Sequence, residues 1–392
     1  MEKKDVERAL EEVYTGKEAA EFLNISVQRL NQLVHAGRLL PVKSTKGITL
    51  FYKGDLEERK FFDSVCEKKE DHFEIDIPRI RDAILYFTIQ QYFNNNDKKT
   101  EKFINEWIEN NGFDYRAGLK ININFLASQL QVSAQDFYRE YQRVKESFKS
   151  LSRETVLLKR GEQEYPALLE NTKESPLYLF CIGNLELLNE KSVCVVGSRN
   201  ASKEAMEKTE RLVGSLVKRN IVISAGLARG IDTASHRSAL ENNGKTIAVI
   251  GTPINQYYPK ENRELQKQIE EKGLVVSQFP PCNKVNRWNF PTRNGVMSGI
   301  SIATVIMEAG ETSGALKQAD YALKQNKQVL IPQKVIENTM LKWPKKYLGR
   351  GAHSFSSLKN VLELLNQNQW IPELFKEEDL EEMSYVEMDN PT

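Results

Sequence analysis

The sequence predicts an α/β protein: a doubly wound, mostly parallel sheet preceded by small helical domains. Three observations carry that expectation. From about residue 151, six short β-branched-rich runs alternate with amphipathic segments of helical length. Each run is apolar almost throughout, as in strands buried on both faces. The first 150 residues lack this alternation and show helix-capping signals and aromatics at helical spacing instead.

The chain starts with a small helical module, assigned to residues 1–63. Thr15-Gly16-Lys17-Glu18 is a capping box, and Ala19, Ala20, Phe22 and Leu23 give the helix behind it one apolar side. Asn24-Ile25-Ser26 makes a tight turn. Ser26 then caps a second helix holding Val27, Leu30, Leu33 and Val34, which Gly37 closes. Leu39 to Val42, a turn at Lys43 to Gly47 and the strand-like Ile48 to Tyr52 form a basic hairpin, and Asp55 starts another helix. Helix, three-residue turn, helix and hairpin is the layout of a winged helix-turn-helix, and these residues resemble the MerR/excisionase type. The resemblance implies a second helix in the major groove of duplex DNA. Its outward residues would be Gln28, Arg29, Asn31 and Gln32, with Lys43 and Lys46 on the hairpin. A small protein-docking module is the alternative reading.

Residues 64–150 read as a helical accessory domain. Ile80, Ile84 and Phe87, then Phe103 and Trp107, fall at helical spacing and are assigned to a packed core. Ala127-Ser-Gln-Leu130-Gln-Val132-Ser133 repeats the pattern of Ala20-Glu-Phe-Leu23-Asn-Ile25-Ser26, which suggests a second helix-turn-helix-like unit near 121–148.

The α/β domain is assigned to residues 151–370. Its strands are expected at Val193–Val196, Ile221–Ile223, Thr246–Ile250, Leu274–Val276, Ala303–Met307 and Val329–Ile331, with helices around 202–219, 231–243, 260–272 and 314–325. Ligands of such sheets bind beyond the C-terminal strand ends, where helix N-termini present free N–H groups. Those ends are rich in Gly, Ser and Arg: Gly197-Ser198-Arg199 with Ser202, Gly226 with Arg229 and Gly230, Gly251-Thr252, and Ser313-Gly314 followed by Lys317. Glycine lets backbone approach an anion, hydroxyls cap helices, and guanidinium groups grip phosphate oxygens. An anionic ligand along this rim follows from the residues alone. Neither a G-x-G-x-x-G fingerprint nor a P-loop is present, so no nucleotide cofactor is expected. Lys284 to Asn294 interleaves Arg287 and Arg293 with Trp288 and Phe290, the composition of a single-strand nucleic-acid surface.

Charge and cysteine usage narrow the class further. Residues 371–392 form an acidic tail of net −7, so the rest of the chain, against an overall charge of +1, carries +8. No run of about 18 apolar residues exists, so no membrane span is expected. The four cysteines are scattered, with no C-x-x-C pair, which argues against zinc or a disulfide framework and for a cytoplasmic setting.

From about Leu157 to Ala352 the chain resembles the DprA/Smf family of DNA-processing proteins. The ordered blocks are Tyr165-Pro166, Pro176-Leu-Tyr178, Val195-Val-Gly-Ser-Arg199, Ser224 to Asp232 with His236, Tyr258-Pro259, Phe290 to Asn294, Glu308-Ala309 and Ser313-Gly314. The resemblance implies a Rossmann-like domain that binds single-stranded DNA without catalysis, a homodimer, and handover to a RecA-type recombinase during DNA uptake. The implied contacts are Gly197, Ser198, Arg199, Ser202, Gly226, Arg229, Gly230, Arg287, Trp288, Arg293, Asn294, Ser313, Gly314 and Lys317. The chain departs from the family pattern at Gly295, Gln278, Lys317 and Gln318, and in placing a helix-turn-helix at its N-terminus. Two alternatives stay open on the same fold. One is a nucleotide-signal sensor. The other is a LOG-type phosphoribohydrolase, with Glu308 or Glu311 as base, although the P-G-G-x-G-T-x-x-E turn of that group is missing.

Overall fold

The computed structural model describes residues 13–35, 39, 41–45, 48–53, 56–57, 73–75, 77–111 and 119–366. The expectations for Gly37, Lys46, Asp55 and the acidic tail lie outside the described residues. Two compact units divide the chain: Met1–Glu74 with Lys149–Leu157, and Ile75–Phe148 with Leu158–Thr392.

The first unit contains β1 (Val13–Thr15), α1 (Gly16–Leu23), α2 (Val27–His35), β2 (Lys43–Thr45) and β3 (Ile48–Tyr52). The three strands form an antiparallel sheet in the order β1-β3-β2. The capping box forms as expected: Thr15 N–H donates to Glu18 Oε2 at 2.8 Å while Glu18 N–H donates to Thr15 Oγ1 at 3.4 Å. Ser26 Oγ accepts from Arg29 N–H at 3.1 Å and so starts α2. Ala19, Ala20, Leu30, Leu33 and Phe51 close the small core. Gln28 and Lys43 are exposed, but Gln32 is not. It lies next to Leu33 on the inward face, 8% exposed, and its Oε1 accepts from Arg29 Nη1 at 3.0 Å. It therefore cannot read a base edge in this conformation, because the helical rotation that buries Leu30 and Leu33 also carries position 32 inward.

The second unit opens with α3 (Pro78–Tyr92), α4 (Asp97–Asn111), α5 (Leu119–Gln129) and α6 (Ala134–Phe148). The seven-residue repeat is realised as the same turn twice. Asn24 and Gln131 adopt the left-handed conformation at φ 56° and 57°. Ile25 N–H bonds Ala20 O and Val132 N–H bonds Ala127 O, at 3.0 and 2.9 Å. Ser133 Oγ caps α6 by accepting from Asp136 N–H, as Ser26 does for α2. Phe87 of α3 sits 6.2 Å from Phe148 and 5.6–5.7 Å from Tyr178 and Phe180, which packs these helices onto the sheet within one unit.

The sheet has nine strands: β4 (Val156–Lys159), β5 (Tyr178–Gly183), β6 (Ser192–Val196), β7 (Val222–Ala225), β8 (Thr246–Val249), β9 (Leu274–Ser277), β10 (Ala303–Ile306), β11 (Gln328–Pro332) and β12 (His353–Phe355). Their order is β12-β11-β10-β6-β7-β8-β9-β5-β4. The strands from β12 to β9 are parallel, and β5 joins β9 antiparallel. All six expected strands are present. The short α7 (Ala167–Glu170) precedes β5. Then α8 (Lys203–Val217), α9 (Ile231–Glu241), α10 (Arg263–Lys272), α11 (Asn289–Gly299) and α12 (Gly314–Lys324) connect β6 through β11. Two short helices, α13 (Gln333–Glu337) and α14 (Trp343–Leu348), follow β11, and α15 (Leu358–Asn366) follows β12. Val193, Val195, Leu212, Leu216, Ile223, Val305, Leu330 and Leu362 interleave strands and helices in the main core. Each such burial is worth about 1.5–3 kcal/mol. Chain order reverses between β10 and β6, and at that point the C-terminal strand ends come together as the sequence predicts.

Candidate nucleic-acid interface

The first two glycine-rich turns press on one another. Gly230 has φ 72°, and a Cβ there would lie 2.2 Å from Ser198 O, so the second turn presses directly on the first. Ser198 O accepts from Ile231 N–H at 3.2 Å, and Ser198 N–H donates to Glu308 O at 2.7 Å. Gly197 packs against the Ile231 side chain, where a Cβ would come within 2.6 Å. In these turns glycine serves close backbone packing.

The amide groups expected to hold an anion are filled from within. Asp232 Oδ2 accepts from Gly226 N–H at 3.0 Å and Ala228 N–H at 3.3 Å. Burial raises its carboxyl above the usual range, against the pull of Arg293 and those two N–H groups. The Glu308 carboxylate accepts from Ser202 Oγ at 2.6 Å and Ser202 N–H at 3.1 Å, which caps α8 where a phosphate was expected. Glu311 Oε1 accepts from Lys342 and Trp343 N–H at 2.5 and 3.2 Å. Both candidate general bases of the hydrolase alternative thus hold helix ends.

Arg293 requires a correction. It was expected on the rim; it is 5% exposed. Its Nη1 donates to the carbonyls of Gly226 and Val249, and its Nε donates to Asn294 Oδ1 at 3.1 Å. Gly226 must be glycine, since a Cβ would lie 2.4 Å from that guanidinium. Asn294 is buried too, with its Nδ2 3.4 Å from Gly314 O. The two residues tie strand ends β7 and β8 to α11 and do not face a ligand. The physical reason is that the segment taken for a surface loop turns helical at Asn289 and carries positions 293–294 inward.

His236 does not bond Asp232 although it follows at i+4. Its Nδ1 lies 2.7 Å from Thr246 Oγ1, which itself donates to Ile223 O at 2.8 Å, so Nδ1 carries the proton. Complete burial lowers its pKa to about 3, so it is neutral and structural.

What remains open is a cleft of about 600 Å3 beside the ends of β6, β7 and β8, bordered by Arg199, Gly226, Arg229, Tyr258, Lys260 and Phe290. Arg199 is exposed and makes no ion pair or hydrogen bond among the described residues. Arg229 pairs with Glu261, both side chains largely exposed at 61% and 58%. The Tyr258 and Phe290 rings stand 5.1 Å apart. Tyr257, Tyr258 and Lys260 were absent from the sequence-derived contact set, although Tyr257-Tyr258-Pro259-Lys260 carries the same aromatic–cation signature that marked Arg287 to Phe290. Arg287 and Trp288 are exposed, with the guanidinium 5.3 Å from the indole centroid, but neither lines the cleft. Ser313 caps α12 through Ala315 N–H at 3.3 Å, and Gly314 is open to solvent. Lys317 pairs with Asp320 at 3.6 Å. None of these three lines the cleft. Among the described residues there is no cluster of metal-ligating side chains and no helix long and apolar enough to cross a membrane.

Comparison with known proteins agrees with this architecture. The family profile of DNA recombination-mediator protein A matches residues 156–366. A DNA processing protein DprA from Streptococcus pneumoniae is 40% identical over 174 residues, which is 44% of this chain and 61% of that protein. Protein Smf from Synechocystis is 39% identical over 172 residues, 43% of each chain. The chain therefore spans between about two fifths and three fifths of these relatives. The X-ray structure of the pneumococcal protein superposes with a TM-score of 0.59 at 29% identity, covering 71% of this chain and 97% of that one. With just over half of its residues matched and the sheet shared, the chain belongs to the DNA recombination-mediator protein A family.

Proposed function

We propose that the protein binds single-stranded DNA without cleaving it, along the cleft at the ends of β6, β7 and β8. The observation that carries this is the exposed, unpaired Arg199 beside the Tyr258–Phe290 ring pair. A guanidinium meets phosphate oxygens with two parallel N–H groups, while the rings offer faces to unstacked bases. Arg199, Arg229 and Lys260 supply the cations. Since the neighbouring backbone amides already hold Asp232 and Glu308, side chains do the gripping. A single phosphate gains little in such a site, and a strand that reaches several cations gains much. This favours an oligonucleotide over a small signalling nucleotide. The capping roles of Glu308 and Glu311 favour a non-catalytic reading over base release from a nucleoside monophosphate.

The N-terminal unit is proposed as a second reader, for duplex DNA, through exposed Gln28 and Lys43 with Arg29 and Asn31 alongside. Assembly as a homodimer and transfer of the strand to a RecA-type recombinase belong to the same proposal and rest on the family resemblance.

The test is fluorescence anisotropy with labelled dT20 on the full chain across a salt series. Three phosphate contacts give a log–log slope of about −2, taking roughly −0.7 per contact for single strands. Arg199→Ala should flatten the slope by about 0.7 and weaken binding. An unchanged slope and affinity in the folded variant would place the strand elsewhere.

A further inference from the structure

A second basic surface of this unit lies on α14 and the residues that flank it. Between Asn338 and Leu362 the chain carries Lys342, Lys345, Lys346, Arg350 and Lys359, and neither Asp nor Glu. One side of α14 is anchored. Trp343 and Tyr347 are 2% and 3% exposed; Trp343 Nε1 donates to Ala309 O at 2.8 Å, and the Tyr347 hydroxyl donates to Leu316 O at 2.9 Å. Arg350 belongs to this anchor, since it pairs with Asp320 at 2.7 Å and its guanidinium stands 4.8 Å from the Tyr347 ring centroid.

The other side presents lysines without acids. Lys342, Lys345 and Lys346 are exposed, and their ammonium groups make no ion pair among the described residues; that of Lys346 stands 6.0 Å from the Tyr347 ring centroid. Lysines on other helices of the unit are matched: Lys203, Lys208, Lys267 and Lys317 each pair with an acid three or four positions away. Lys342 has like charges at both i+3 and i+4, a repulsion that a bound polyanion removes. Met340, two residues before Lys342 and 85% exposed, adds an apolar contact to the same segment.

This segment shares the rim with the proposed cleft. The turn that carries Arg199 is bonded to the strand end that anchors α14: Ser198 N–H donates to Glu308 O, the next carbonyl, of Ala309, accepts from Trp343 Nε1, and Glu311 Oε1 accepts from Lys342 N–H. We infer that α14 is a second contact for the same DNA strand, with Lys342, Lys345 and Lys346 meeting phosphates of nucleotides that run out of the cleft across the end of β10. The inference rests on the single-strand reading of the cleft. A strand answers both features of the segment, because its phosphates meet the lysines and its bases offer apolar faces to Met340. An acidic peptide answers the charge alone; residues 371–392 of this chain, at net −7, are such a peptide.

The experiment compares labelled dT20 with labelled dT6, the strand held by the cleft alone, across a salt series. The proteins are the full chain and its Lys342→Gln, Lys345→Gln, Lys346→Gln triple variant. Three added contacts should take the dT20 slope from about −2 to about −4, at roughly −0.7 per contact. The triple variant should return dT20 to about −2 and leave dT6 unchanged, and Lys345→Gln alone should flatten the dT20 slope by about 0.7. A dT20 slope that is the same in the full chain and the triple variant overturns the inference. Equal losses for dT6 and dT20 also overturn it, because the lysines would then act on the cleft and not on the strand beyond it. A twenty-residue polyglutamate that binds as tightly as dT20, and is released by the triple variant, gives the face to acidic peptides and overturns the DNA assignment. The cleft reading fails separately: Arg199→Ala without effect on dT6, while dT20 still depends on the three lysines, removes the cleft and keeps α14 as a strand contact.

Discussion

Neutralising Glu261 should make the protein a better DNA binder. Its carboxylate pairs with Arg229 inside the cleft, so it both occupies one of three cations and repels an incoming phosphate. Both partners are mostly exposed, which caps the strength of the pair at about 1 kcal/mol and makes it salt-sensitive. Releasing Arg229 therefore gains about 0.5–1 kcal/mol for a competing phosphate, or roughly two- to fivefold in affinity at low salt. Glu261→Gln should tighten dT20 binding by that factor at 50 mM salt and make the log–log slope steeper, since the freed cation now displaces counterions. The gain should vanish in the Glu261→Gln, Arg229→Ala double variant, and anisotropy titrations at four salt concentrations suffice to read it. Weaker or unchanged binding by Glu261→Gln would show that Arg229 does not meet the strand.

Three further outcomes follow from the interior of the site. Arg293→Ala should destabilise the fold by about 3–5 kcal/mol, because it leaves buried Asp232 without its cation and two carbonyls without donors. Denaturant unfolding checks this, and a stable variant that merely loses DNA affinity would return Arg293 to the binding surface. Gly230→Ala should unfold readily or fail to express, given its positive φ and the 2.2 Å approach to Ser198 O. His236 makes stability pH-dependent with a definite sign. Its folded pKa of about 3 lies below its usual 6.5, so the unfolded chain binds the proton more readily. Its contribution is complete above pH 6.5 and is lost as pH falls toward 3, by about 2 kcal/mol between pH 6.5 and 5. Stability of His236→Asn should be flatter over that window in urea titrations.

The sheet was legible because its signal is local. Six runs such as Val193–Val196 and Ala303–Met307 are apolar at almost every position, the pattern of strands buried on both faces. The edges β4, β5 and β12 went unrecognised, since three to six residues at a margin carry no periodicity and owe their pairing to neighbours far away in sequence. α11 was missed for a related reason. Its first two turns hold Asn289, Pro291 and Asn294, a loop-like composition, while Val296 and Met297 are buried. That error put Arg293 and Asn294 on the wrong side. Arg199 stood out in the sequence because a charged residue at a strand end next to glycine has few structural uses, and the structure leaves it exposed. Lys260 did not stand out, since it borders the cleft only through the fold of the connection after β8.

Self-satisfaction of the rim changes the physics of the site. Backbone N–H groups at helix N-termini would form a fixed anion hole of defined size, which selects for one phosphate in one place. Asp232 accepts from the loop amides of Gly226 and Ala228, and Glu308 from Ser202, and both lock the turns whose glycines press together at Ser198 and Gly230. The proposed binding surface consists of arginine and lysine side chains with several rotatable bonds, and of ring faces that do not distinguish bases. Such a surface adapts to a flexible polyanion and discriminates poorly between sequences. Any sequence preference must therefore come from outside the cleft.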